Sequence, residues 1–196
     1  MTFFLVRHAA HDNVGGYLAG RSEGIMLGPD GLAQAERLAA RMRRETFSTI
    51  HVSPRERTRQ TASAIAKACD LPVETAPELD EVDFGAWSGR TFQDLDADPH
   101  WRQWNAARSL TRTPGGETML DVQQRVLGFM ERLSRGVEEG RLVLVSHADV
   151  IKAVVMHVLG LSVDAWPRFD ISPASITTIV TGAWGAKVVT LNETII

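Results

Sequence analysis

"RLVLVSHADVIKAVVMHVLG", residues 141–160, decides the fold. Residues 142–145 are apolar at every position, with no alternation, which is how a strand covered on both faces reads. The run ends in Ser146-His147 and passes at once into apolar residues at helical spacing, stopped near Gly160. Working outward, "TMLDVQQRVLGFMERLSRG" (118–136) predicts the preceding helix, with Thr118 as cap and Asp121 at its third position. At the other end, "TFFLV" (2–6) is a second continuous apolar strand, ending in Arg7-His8. "DGLAQAERLAARMRR" (30–44) places Leu32, Ala35, Leu38, Ala39 and Met42 on one helical face. "STIHV" (48–52) then predicts a strand running into a helix over 53–69, with Ser53 as N-cap, Pro54 in first position and Glu56 closing a Ser-x-x-Glu capping box. Residues 73–74 make a short strand, and "SITTIV" and "AKVVTL" a hairpin at one side of the sheet around a turn at 182–185. Strands alternating with helices require right-handed parallel crossovers, hence a three-layer α/β/α sandwich on a mostly parallel sheet. The whole of residues 1–196 reads as one domain, with a lid or insertion at about 82–114 that carries Trp87, Trp101 and Trp104.

Composition sets the outer limits. With 196 residues, 44% of them apolar, the chain can bury a sizeable core. A net charge of -3 offers no general attraction to nucleic acid or to an anionic membrane, so an anionic substrate must be held by individually placed cations. Cys69 is the single cysteine, which excludes an internal disulfide and a multi-cysteine zinc site and fits a reducing, cytoplasmic setting; it reads as a small buried side chain at a helix end. The apolar start at residues 3–6 is too short for a signal peptide, and the run 150–161 is broken by Lys152 and His157, short of a membrane span. A monomer and a homodimer are both compatible with these features.

Two strands end alike, in Arg7-His8 and in Ser146-His147. Ligands of open α/β sheets gather at the carboxyl ends of strands, so both histidines emerge on one rim, joined there by the helix start that carries Arg57. Arg7-His8, then Ser53-Pro54-x-x-Arg57-x-x-x-Thr61-Ala62, Glu81 before Phe84-Gly85-x-Trp87, Gly115-Gly116-Glu117-Thr118, and Ser146-His147 follow in that order. This ordered set resembles the histidine phosphatase superfamily, its phosphoglycerate-mutase-like branch, over nearly the whole chain. The resemblance implies a metal-independent phosphomonoesterase without cofactor, acting on a small phosphate ester through a phosphohistidine. It assigns His8 as nucleophile, Arg7, Arg57 and His147 as the phosphate clamp, and Glu81 as general acid. Asn13, Gly20 and Arg21 would be ligands for the substrate or its phosphate, or simply loop residues.

The chain departs from the family pattern where Ala9 and Ala10 replace the usual glycine and polar residue, which weakens a mutase reading and bears on substrate choice more than on reaction class. Three rivals stand beside the phosphatase: a phosphomutase with the same intermediate, a non-catalytic phospholigand-binding protein, and a metal-dependent hydrolase using His8, His11, Asp12 and His147. Arg102, Arg108 and Arg112 could recognise a second anionic group, or be neutralised by Asp94, Asp96 and Asp98 as a solvated face.

Overall fold

The strands lie in one six-stranded sheet, in the order β3-β2-β4-β1-β5-β6. They are β1 (Thr2–Arg7), β2 (Thr49–Val52), β3 (Val73–Thr75), β4 (Arg141–Ser146), β5 (Ile176–Gly182) and β6 (Gly185–Glu193). This is a computed structural model, and it describes residues 1–12, 15–137 and 139–195. The first four strands in that order run parallel, and β5 and β6 add an antiparallel hairpin beside β1. Helices α1 (Pro29–Met42), α2 (Glu56–Cys69), α5 (Met119–Ser134) and α6 (Ala148–Val158) cover the faces, while α3 (Phe92–Asp96) and α4 (Pro99–Ala106) lie in the segment after β3. The expected three-layer α/β sandwich is the observed architecture.

Strand alternation builds the two halves of the core. In β1, Phe3 and Leu5 point to the side of α5 and α6, whereas Phe4 and Val6 point to α1 and α2. In β4, Leu142 and Leu144 share the first side, Val143 and Val145 the second. Every residue from Leu142 to Ser146 is buried, which is why no polar alternation is visible in the sequence. The tryptophans of the 82–114 segment are structural: Trp87, Trp101 and Trp104 are buried together, with Trp101 stacked on Trp104 at 5.5 Å between centroids.

Three local expectations are corrected. The α2 helix starts at Glu56, not at Pro54, and Arg55 is its N-cap with no side-chain cap. The Ser53 hydroxyl instead meets His147 Nε2 at 2.8 Å, and the Glu56 carboxylate accepts from the Gly24 amide rather than closing a box. On α1, Leu32 is exposed and Gly31 takes the inner position, because a Cβ there would lie 1.8 Å from the Ala10 carbonyl oxygen. Cys69 is only partly buried. The Thr118–Asp121 capping box of α5 forms as expected, with both reciprocal bonds.

Candidate active site

The rim formed by the carboxyl ends of β1, β4 and β2 carries the polar residues. β1 and β4 pair in register, Arg7 opposite Ser146, and the next amide, His8 N, donates to the Ser146 carbonyl at 3.0 Å. His8 and His147 are therefore neighbours as a consequence of backbone pairing, their ring centroids 5.2 Å apart.

His8 is buried, and its Nδ1 lies 2.8 Å from the Ala9 carbonyl, a pure acceptor. The proton of the neutral ring is thus on Nδ1, and the lone pair is on Nε2, to which Arg57 Nε donates at 3.3 Å. Burial first, then the guanidiniums of Arg57 and Arg7, hold this imidazole well below the ordinary histidine range. The Ala9 amide is fixed in turn by Thr61 Oγ1 at 3.0 Å, which gives the Arg57-x-x-x-Thr61 spacing on α2 a physical role.

Arg57 is held from three sides. Its Nη2 donates to the Gly20 carbonyl at 2.7 Å and meets His147 Nδ1 at 3.2 Å, while Nη1 is buried without a partner among the described residues. Arg7 donates to the Ile171 carbonyl, and its Nε is likewise buried and unpaired among them. Burial lowers the pKa of both guanidiniums, but arginine stays charged at any pH near neutrality. Two forks with spare buried donors around a nitrogen lone pair form a receptor for a tetrahedral oxyanion.

His147 is fully buried, and burial, followed by Arg57 and His8, keeps it neutral. An Arg57 N–H at Nδ1 places the ring proton on Nε2, donating to Ser53 Oγ, which reaches Asp80 Oδ1 at 3.4 Å. Glu81 Oε2 lies 3.6 Å from His147 Nδ1, and Oε1 accepts from the Val82 amide. Burial, reinforced by the Asp149 carboxylate, raises the Glu81 carboxyl to about 7. The Glu81 backbone is pinned by its own amide on Asp80 and by Arg21 and Arg125 on its carbonyl.

Arg7, His8, Arg57 and Glu81 line one cavity of about 240 Å³, with His147 directly behind. Arg21, a candidate ligand from sequence, does not join them: its guanidinium is committed to Glu117, Asp83, Asp80 and the Glu81 carbonyl, a brace beneath the cavity. Gly20 lines the cavity, and its carbonyl anchors Arg57. Asn13 lies outside the described residues. Arg108 and Arg112 pair with the carboxylates of Asp149 and Asp121, Arg102 donates to the backbone carbonyl of Asp96, and none of the three lines the cavity. His11 lines it, but Asp12 packs beside Gly28, and the described residues contain no group of three metal-ligating side chains. Sequence reasoning assigned Ser53 to a helix cap, whereas its hydroxyl belongs to the His147 network, and it missed Asp149, two residues beyond His147 in the first turn of α6.

A neutral buried imidazole between two guanidiniums, with a carboxyl whose pKa is raised to about 7 beside it, is a site suited to handling a phosphoryl group. The chain belongs to the histidine phosphatase superfamily (branch 1), whose family model matches residues 3–194. It is 33% identical over 181 residues to phosphoserine phosphatase 1 of Hydrogenobacter thermophilus, covering 89% of this chain and 84% of that one. It is 28% identical over 190 residues to the adenosylcobalamin/alpha-ribazole phosphatase of Escherichia coli, covering 95% and 89%. The solved native structure of mycobacterial glucosyl-3-phosphoglycerate phosphatase superposes with a TM-score of 0.89 at 26% identity, covering 98% of this chain and 99% of that one. No helix among the described residues is long and apolar enough to cross a membrane.

Proposed function

We propose that the chain is a phosphomonoester hydrolase that works through phospho-His8 and needs no metal. The observation that carries this reading is the orientation of His8: the Ala9 carbonyl accepts a hydrogen bond from Nδ1–H, which leaves the Nε2 lone pair facing the guanidinium of Arg57. A substrate dianion replaces that weak contact, its non-bridging oxygens taking the spare donors of Arg7 and Arg57. Nε2 attacks phosphorus as the ester P–O bond breaks, and the Glu81 carboxyl gives its proton to the departing alkoxide. In the second half, the Glu81 carboxylate takes a proton from water as that water attacks phospho-His8, so the P–N bond breaks, inorganic phosphate leaves and Glu81 is protonated again. The two guanidiniums supply the positive charge that a metal would otherwise bring. The three relatives described above are named as phosphatases, which supports a small phosphate ester as substrate.

The test is phosphate release from p-nitrophenyl phosphate at mildly acidic to neutral pH, with and without EDTA, for wild type and His8→Ala. Turnover that resists the chelator and falls at least about a thousandfold in the variant is expected, together with a phosphoenzyme that survives an alkaline quench in wild type only. EDTA-sensitive turnover that persists in His8→Ala would overturn the mechanism. Transfer of the phosphoryl group to an added alcohol in excess of its release would assign a mutase instead.

A further inference from the structure

We infer that Asp149 makes this site selective for phosphomonoesters whose alcohol carries hydroxyl or ammonium donors and no second anionic group. The inference rests on the phosphatase reading of the same cavity. Beyond the phosphate clamp, the cavity wall is apolar and aromatic, formed by Leu18, Phe84 and Phe92, and its charged side chain is Asp149. One Asp149 oxygen, Oδ1, accepts from Arg108 Nη1 at 3.0 Å. Arg108 itself is buried between the rings of Trp104 and Trp166, at 3.8 and 3.7 Å, and its Nη2 donates to Asn105, so it fixes the carboxylate from behind without reaching the cavity. Lys152, one turn along α6, is turned away to the Trp166 carbonyl and Asp170. The cavity therefore presents a carboxyl oxygen acceptor, fixed by Arg108, where the substrate's organic part must lie.

The remaining polar side chains there are Tyr17 and His11, the latter kept neutral by burial and by Arg57 and Arg7. Arg7 and Arg57 are matched by the two charges of the phosphate. Among the described residues beyond the clamp, a second anion on the substrate would find neutral donors only and would face Asp149, whereas a hydroxyl or ammonium group would donate to it. Loss of a cationic partner and gain of a like charge in a partly desolvated site both act against the second anion.

Glycerol 1-phosphate and 3-phosphoglycerate are a matched pair, similar in size and differing chiefly in a terminal hydroxymethyl against a carboxylate. Wild-type kcat/KM should favour glycerol 1-phosphate by about tenfold or more, with O-phosphoethanolamine on the favoured side of phosphoglycolate by a similar factor. In Asp149→Asn the preference should shrink severalfold, chiefly through a rise for the anionic member. Any effect of Asp149 on the protonation of Glu81 acts on both members alike and cancels in the ratio. The wild-type ratio alone decides the direction, whatever the fold of the variant. Equal rates, or a preference for 3-phosphoglycerate, in an enzyme that turns over p-nitrophenyl phosphate through His8 would overturn this selectivity and leave the phosphatase intact. Absence of turnover on every ester would overturn both.

Discussion

Replacing Glu81 by glutamine should make the protein more stable at alkaline pH while disabling it. A carboxyl raised from 4.5 to about 7 keeps, in the folded state, a proton that the unfolded chain releases. Stability is therefore lost as pH rises from about 4.5 to about 7, and stays lost above it. At about 1.36 kcal/mol per tenfold change in proton affinity, the full penalty approaches about 3 kcal/mol at pH 8 and stays under about 1 kcal/mol at pH 5. Glutamine never ionises, and its carbonyl can keep the bond from the Val82 amide. For a chain of this length, each kcal/mol moves Tm by roughly 2–4 °C. The Glu81 side chain is 15% exposed, so water and relaxation reduce the effect, and a widening of the Tm gap by about 3 °C or more between pH 5 and pH 8 is the expected reading. Calorimetry on both proteins at both pH values measures it, and titrating groups remote from Glu81 cancel in the difference. The same variant should lose alkyl phosphate turnover by about 10²–10⁴-fold. An unchanged Tm gap at the two pH values would refute the premise that burial holds Glu81 protonated.

Two further substitutions probe the clamp. Arg57→Lys keeps the charge but loses the fork that reaches Gly20, His8 and His147 at once, so kcat/KM should fall by about 10²–10³-fold, and a change under about threefold would contradict the assigned role. Gly20→Ala puts a Cβ 2.9 Å from Ser88 Oγ on a backbone with φ +50°; a loss of about 1–2 kcal/mol in denaturant unfolding and a raised KM, as the Arg57 anchor moves, are expected together.

The parts of this design that obey a local rule were readable in the sequence. Continuous apolar runs gave β1 and β4, and the abrupt polar ends of those strands located His8 and His147. Ser53 was misread because its local context satisfies a capping rule, while the hydroxyl is claimed by a residue 94 positions away. Leu32 fits the helical stripe, yet the close approach of the Ala10 backbone reserves the inner position for Gly31. Arg21 looks like a free cation in a loop, and only the folded chain shows Asp80, Asp83 and Glu117 converging on it. Asp149 has the same cause: its importance comes from Arg108, whose position between two tryptophans has no signature in a linear pattern.

The register of β1 against β4 bears on how such a site can change over time. Because the separation of the two histidines follows from hydrogen-bonded neighbouring strands, it is inherited with the sheet and is insulated from repacking of the helices outside. The rest of the cavity wall is drawn instead from loops and helix starts, at residues 15–20, 84–92 and 148–149. Those segments can exchange one side chain for another without altering the separation of the two histidines. A chain built this way can acquire a new preferred ester by single substitutions at its loops, whereas a one-residue slip between the two central strands would abolish every activity at once.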